Sequence, residues 1–330
     1  MFKKDAVKEG NAPAASEQEF AEEKIRTADA LLRKRTKRKN LVSKYIFIIA
    51  ITIIPITQFC IFYIGVNFNS LLLAFQEYNG GLFTFTAGFS NFGEVFTRFA
   101  SEPMLIYGLR NSAIIFLLQL CISIPLCVIS AYFVWKKTPF SGFFKVVLML
   151  PSMISATVFC VIARIFLEVG LPRLFGSGWE GLITTPGKDF WTTTFYDIWL
   201  TFANNLILYL GAMSAVSVDV AEYGKIDGMN AFQEFIHVVL PAIYPTLVVF
   251  LMTSIASFFT NYGSRYTFYE DDASQENYTL GYYFFVIVVG SSTRESYPFA
   301  AAAGIVFTCI AVPFTLLTKY LLEKFGPKED

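Results

Sequence analysis

Asp219-Val-Ala-Glu222-Tyr223-Gly224-Lys225-Ile-Asp227-Gly228-Met-Asn230-Ala-Phe-Gln233-Glu-Phe-Ile-His237-Val-Val-Leu240-Pro241 is a polar stretch lodged between two long apolar ones, and its reading decides how the chain is arranged. Asp219 can cap a first short helix while Glu222 reaches back to it, and Asn230 with Gln233 repeats that arrangement for a second helix. Gly228 supplies the backbone freedom to end the first helix, and Pro241 marks entry into the next apolar segment. The spacing predicts a doubly capped helix-turn-helix over 217–241. A loop that merely joined two apolar segments would need no such pair of helices, so we read it as a docking element for another protein.

Working outward, the surroundings are those of a bilayer protein. The 330 residues are 55% hydrophobic, 17% aromatic and only 16% charged, with a mean hydropathy of +0.51, far from a soluble domain. About 20 apolar residues cross a hydrocarbon core. Six stretches qualify: Tyr45 to Val66, Ser112 to Val134, Val146 to Phe166, Tyr196 to Val216, Ala242 to Tyr262 and Phe299 to Leu321. The shorter run Gly281 to Gly290 is half a span and is expected to be interfacial or re-entrant. The fold class expected is therefore all-α integral membrane with six transmembrane helices, in contact with the lipid bilayer.

Lys and Arg divide nineteen to six between the two sets of loops, which places both termini and the 217–241 element in the cytoplasm. The cluster Arg33-Lys-Arg-Thr-Lys-Arg-Lys39 immediately precedes the first span and reads as its anchor, not as a nucleic-acid patch. Net charge is zero, so no overall field argues for nucleic acid as a partner. Residues 1–40 are polar and poor in large apolar groups, a tail without a core of its own, and 41–330 form the permeating domain. The first apolar stretch is too long for a cleaved export signal and lacks a small-residue cleavage site. The segment Asn67 to Asn111 is expected to hold small elements across the membrane face, and no 20–50-residue period repeats.

Little in the sequence supports enzymatic chemistry. His237 is the one histidine and it lies within the 217–241 helix-turn-helix, which argues against a His-based metal site or a triad within the chain. Cys60, Cys121, Cys127, Cys160 and Cys309 all fall in expected spans, where they behave as small hydrophobes and imply no disulfide framework. No Gly-x-x-x-x-Gly-Lys-Ser/Thr loop is present to cradle nucleotide phosphates. We expect no metal and no cofactor on this chain.

Polar groups in the spans are the other signal, because an amide or carboxylate facing lipid is expensive. Asp197, Thr201 and Asn204 recur at helical spacing in the fourth span, and Ser254, Ser257 and Asn261 in the fifth, with Phe258 alongside. Amides, hydroxyls and an aromatic face suit a polyhydroxylated sugar, which offers hydrogen-bonding edges and an apolar ring face. The competing role for these residues is interhelical hydrogen bonding. Gln119 and Arg164 are assigned to packing or a partner interface first. The 36 Phe and 17 Tyr are mostly belt and packing residues; Trp191, Tyr196 and Trp199 sit where an outer belt would place them.

The 217–241 element resembles the membrane permeases of binding-protein-dependent ABC importers, in the carbohydrate branch that includes the maltose and glycerol-phosphate systems. Their pattern is Glu-Ala-Ala, three residues, Gly, nine residues, Ile-x-Leu-Pro. Glu222, Gly228, Leu240 and Pro241 fall at that spacing, with Val238 for the isoleucine, while Tyr223 and Gly224 stand where two alanines are usual and Met229 where there is another. A glycine inside a helix costs about 1 kcal/mol relative to alanine. The likeness extends from Tyr45 to the C-terminus, through Leu150-Pro151, Trp199, Pro245 and Thr279-Leu-Gly-Tyr-Tyr.

What the resemblance implies is a type I ABC importer permease fold in a bacterial or archaeal cell (inner) membrane. This chain would pair with a second permease subunit, two ATPase subunits that carry ATP and Mg, and an extracytoplasmic solute-binding protein that delivers a sugar. Glu222, Tyr223, Gly224, Asp227, Gly228 and Pro241 would couple to the ATPase without being catalysts. Similarity to the maltose permease puts sugar contacts on the fourth and fifth helices, with Asn261 and Ser254 matching in type and Asp197, Asn204 and Ser257 as substitutions. Two other classes compete. A self-contained secondary transporter or channel would show repeats, discontinuous helices and intramembrane coupling carboxylates, of which Asp197 alone is a hint. A membrane enzyme would cluster His, Cys or paired acids at one depth.

Overall fold

The computed structural model describes residues 37, 39, 41–85, 88–176, 179–216, 228–290 and 294–327. The chain divides into two units, residues 1–69 and 70–330. In the first lies helix α1, Leu41–Leu73, which runs a few residues past the boundary and contains a π-helical stretch at Phe59–Gly65. Its side chains, among them Ile54 and Phe62, are exposed along its length, as suits a helix of 33 residues whose natural solvent is lipid.

The second unit opens with a short antiparallel hairpin, β1 Gln76–Asn79 and β2 Leu82–Phe85, in which Gln76 faces Phe85 and Asn79 faces Leu82. Helix α2 follows at Ser90–Ser101. These are the small elements expected between the first two spans, with the hairpin a minor exception to an all-helical chain. Asn91 ties them together, its Nδ2 donating to the carbonyls of Ala74 at 2.8 Å and Gln76 at 2.9 Å.

Five further long or broken helices carry the unit. Helix α3 spans Pro103–Trp135, beginning nine residues before the expected Ser112 because Pro103 pre-sets the first helical turn after an extended Glu102. Helices α4, Ser141–Met153, and α5, Ala156–Phe175, meet at a bend of 98°. The expected third span therefore breaks. Pro151 removes one backbone donor near the end of α4, Ile154 is extended, and Ser155 restarts the chain as the residue before α5.

Helix α6 covers Asp189–Ser214. Helix α7, Ala231–Ala256, replaces two expected elements with one: the second short helix of the polar stretch continues directly into the fifth span through a π-helical stretch at Phe235–Val239. Pro241 lies inside that continuous helix and does not mark a junction; the wider π turn just before it accommodates the missing N–H. The short α8, Arg265–Tyr269, and α9, Leu280–Gly290, precede the last span, α10, Tyr297–Phe325. Helix α9 is the half-span expected at Gly281 to Gly290, capped by Thr279, whose Oγ1 accepts from the Tyr282 N–H at 3.2 Å.

Among the described residues, α1, α3, α7 and α10 are long and apolar enough to cross a membrane, and the bent α4–α5 pair makes a fifth crossing if read as one span. The sixth expected crossing is α6, whose 26 residues reach about 39 Å, although its polar residues make it less apolar than the others.

Three clusters of buried side chains hold the second unit. The first gathers Leu105 of α3, Leu280 and Tyr282 of α9, and Phe299 and Ala303 of α10. The second joins α3, α6 and α7 through Ala131, Leu206, Tyr209, Met213 and Ile243. The third sets Cys160 of α5 against Tyr196 of α6 and Phe268 of α8.

Candidate functional site

Helices α3, α6 and α7 line an open cavity of about 440 Å³, within the range of about 300–1,000 Å³ typical of small-molecule sites. Its polar wall is made by Gln119 of α3, Thr201 and Asn205 of α6, and Thr253, Ser254, Ser257, Thr260, Asn261 and Tyr262 in and just beyond α7. A narrow extension of about 20 Å³ shares Gln119, Ser254, Ser257 and Asn261 and adds Phe116 and Phe258, whose rings meet edge-on at 5.9 Å.

Local hydrogen bonding sets what this wall can offer. Thr253, Ser254 and Ser257 each donate their hydroxyl hydrogen to the carbonyl four residues back, at 2.9, 2.9 and 2.7 Å. Their oxygens are thereby left as acceptors toward the cavity. The Asn261 Oδ1 accepts from the Gly263 N–H at 2.9 Å, which orients the side chain and leaves its amide hydrogens available. Gln119 sits on the π-helical stretch Gln119–Ser123 of α3, where the extra residue per turn re-aims side chains.

Behind the wall is a buried polar frame. Arg265 is 1% exposed; its Nη1 donates to Asp197 Oδ2 at 2.8 Å, its Nη2 to Thr194 Oγ1 at 3.0 Å and its Nε to the Asn277 carbonyl at 3.1 Å. Asp197 Oδ1 accepts from the Ser264 N–H at 2.9 Å and its hydroxyl at 2.6 Å. Asn111 donates to the carbonyls of Glu276 and Tyr278 at 2.6 and 2.8 Å, and Thr279 to that of Asn261 at 3.2 Å. The segment after α7 is thus bolted to α3 and α6, and Asn261 with it. Burial pulls the Arg265 guanidinium down from its ordinary value, with the Asp197 carboxylate opposing that pull.

Of the residues read from sequence as a solute path, Thr201, Ser254, Ser257, Phe258 and Asn261 line the cavity or its extension. Asp197 does not: its carboxylate is consumed by Arg265 and Ser264. Asn204 does not either, being exposed on another face of α6, and the next residue, Asn205, takes the place on the wall. Position 205 is one turn from Thr201, whereas 204 is rotated by about 100° from its neighbour. Gln119, set aside for packing, is a wall residue. The signal for it was present, as an amide in an otherwise apolar run.

Toward the other end of α7 the polar stretch is partly in view. Gly228 has φ +77°, a left-handed conformation natural to glycine. Asn230 caps the following helix through a reciprocal box: its Oδ1 accepts from the Gln233 N–H at 2.9 Å, and Gln233 Oε1 from the Asn230 N–H at 3.0 Å. The first helix of the element, with Glu222, Tyr223, Gly224 and Asp227, lies outside the described residues. No local pattern signals what anchors the second. Tyr132 at the end of α3 donates its hydroxyl to the Ala231 carbonyl at 2.9 Å, and Lys136 pairs with Glu234, a carboxylate only 3% exposed. Burial lowers the Lys136 ammonium, but hydrogen bonds and charge from Glu234 and Tyr132 outweigh it and hold the group above its ordinary value. His237 is exposed on this helix with Nδ1 3.0 Å from the Gln233 carbonyl.

An uncharged polar cavity among membrane-spanning helices, joined by one of them to a capped polar elbow, defines a multi-pass transport subunit. The family model for binding-protein-dependent transport system inner membrane components matches residues 123–327, and the chain belongs to that family. It is 24% identical over 325 residues to the polygalacturonan/rhamnogalacturonan transport system permease protein YteP of Bacillus subtilis, covering 93% of this chain and 98% of that one. It is also 24% identical over 249 residues to the lactose transport system permease protein LacF of Rhizobium radiobacter, covering 70% and 80%. The fold is that of a bacterial ABC transporter involved in the import of the acidic polysaccharide alginate, with a TM-score of 0.69 and 20% identity over 85% of this chain and 96% of that one.

Proposed function

We propose that this family member is the permease subunit of an ATP-driven importer that passes a sugar or oligosaccharide through the cavity between α3, α6 and α7 by alternating access. The observation that carries this reading is the continuity of α7, which has the capped elbow at Asn230 on one end and Ser254 of the cavity wall, with Ser257 just beyond it, on the other. Glu222, Tyr223, Gly224, Asp227 and Gly228 form the surface that sits on an ATPase subunit, and Pro241 belongs to the helix that relays its movement. ATP and Mg are bound by two such partner subunits. A second permease completes the pathway, and a solute-binding protein on the extracytoplasmic side delivers the sugar. The termini and the elbow lie in the cytoplasm, the arrangement favoured by the Lys and Arg distribution.

Relatives named for carbohydrate transport support the substrate class, as does a wall of amides and hydroxyls suited to a polyol. The test is uptake of labelled oligosaccharides by vesicles holding the complete assembly. ATP-dependent accumulation that falls at least tenfold in Asn261→Ala, with subunit assembly intact, is expected. Full-rate transport by this polypeptide alone, without nucleotide, sinks the reading.

A further inference from the structure

We infer that the solute is an uncharged glycan, and that this cavity discriminates against uronic-acid oligosaccharides; the inference rests on the carbohydrate reading above and refines it. Two of the three named similarities pull the other way, since polygalacturonan and alginate are acidic, while lactose is neutral. The wall decides between them. Among the described residues lining the cavity and its extension, none is Lys, Arg or His, and none is Asp or Glu.

A carboxylate taken out of water requires a cation or a convergent set of donors to replace its hydration. The donors this wall offers are all neutral: the amides of Gln119, Asn205 and Asn261 and the hydroxyls of Thr201, Thr260 and Tyr262, spread over three helices and the segment after α7. The hydroxyls of Thr253, Ser254 and Ser257 present acceptor lone pairs because their hydrogens are held by their own helix. Those acceptors take the hydroxyl hydrogens of a neutral sugar, and none of the neutral donors supplies the countercharge a buried carboxylate requires.

The nearest buried cation is no substitute. Arg265 gives its guanidinium to Asp197, Thr194 and Asn277 and is 1% exposed, so its charge is already neutralised and it is not among the lining residues. The segment between α7 and α9 adds field of the opposite sign: Glu270, Asp271, Asp272 and Glu276 are all exposed there, close in sequence to Asn261 and Thr279 of the wall. A polyanion approaching by that segment meets like charge.

The experiment uses the complete transporter, this chain with its partner permease, ATPases and binding protein, reconstituted in vesicles. Uptake is compared for matched pairs, each a uronic-acid oligosaccharide and its carboxyl-reduced neutral counterpart of the same linkage and length. Expected is at least a tenfold preference for the neutral member, narrowed severalfold toward the uronate by Asn205→Lys, which places a cation in the wall. If that variant fails to assemble, Thr201→Lys, one turn earlier on the same face, gives the same comparison. Equal or faster uptake of uronates by the unmodified assembly overturns the inference and leaves the importer intact. A neutral preference that the introduced lysine leaves untouched overturns the assignment to this cavity. ATP-driven uptake of neither member, with a non-carbohydrate solute carried instead, overturns the carbohydrate reading itself and the inference with it.

Discussion

The carboxylate of Asp197 lies 2.8 Å from the guanidinium of Arg265, and the pair joins α6 to the segment that holds Asn261 in place. Removing one partner of a buried ion pair strands the other and costs about 3–5 kcal/mol. Asp197→Ala should therefore lower the melting temperature of the detergent-solubilised assembly sharply and leave the relative uptake of different sugars unchanged in whatever fraction assembles. The double variant Asp197→Ala with Arg265→Met should recover part of the loss. A changed sugar preference without loss of stability would return Asp197 to the solute path.

Gly281 is a second point of close approach. A Cβ there would lie 2.5 Å from the Asn261 carbonyl carbon and 2.6 Å from the Thr260 oxygen, so α9 packs directly on the backbone of the cavity wall. Overpacking of this kind costs about 1–3 kcal/mol. Gly281→Ala should insert normally and transport poorly, a result read by comparing membrane abundance with uptake; wild-type uptake would show that the wall yields easily.

At the elbow, Gly228 adopts a φ of +77° that proline, fixed near −65°, cannot reach. Gly228→Pro should uncouple ATP hydrolysis from uptake while the subunit remains in the membrane. Gly228→Ala, which pays about 1–2 kcal/mol for the left-handed conformation, should retain part of the coupling. The measurement is sugar accumulated per ATP hydrolysed, and normal coupling in the proline variant would remove this residue from the relay.

The pairing of Lys136 with buried Glu234 predicts both a mutational and a pH response. Lys136→Met leaves a buried carboxylate without its partner, at up to about 3–5 kcal/mol for a fully buried pair and less here because Lys136 is partly exposed, and should weaken coupling while the cavity still binds sugar. Because Lys136 is held above its ordinary value, its stabilisation is complete below the ordinary lysine range and disappears only as pH climbs through the raised value. Elbow-dependent coupling should thus be insensitive to this group from pH 6 to 9. Loss within that window in wild type, absent in Lys136→Met, would contradict the assignment.

Much of this was legible in the sequence. Long apolar runs give spans whatever they pack against, and the Asn230–Gln233 box and the Gly228 turn are local patterns that appear as read. What failed were inferences that need a partner in space. Asp197 reads as a solute ligand because its partner Arg265 lies 68 residues later, beyond the fifth span, where no local pattern links the two. Asn204 and Asn205 are adjacent, and only the packing of α6 tells which one faces inward. The break after Met153 was hidden because an apolar run reads the same whether straight or bent, and Pro151 is one of several prolines, of which Pro245 and Pro313 sit inside unbroken helices.

The unbroken course of α7 has a mechanical consequence. Asn230 and Ser254 stand at opposite ends of a rod of about 36 Å, so a tilt of about 10° at one end sweeps the other through about 6 Å, more than the rise of a full helical turn. A modest swing of the elbow is geometrically sufficient to take Ser254 and Ser257 from one side of a bound ring to the other, with no change in the helix itself.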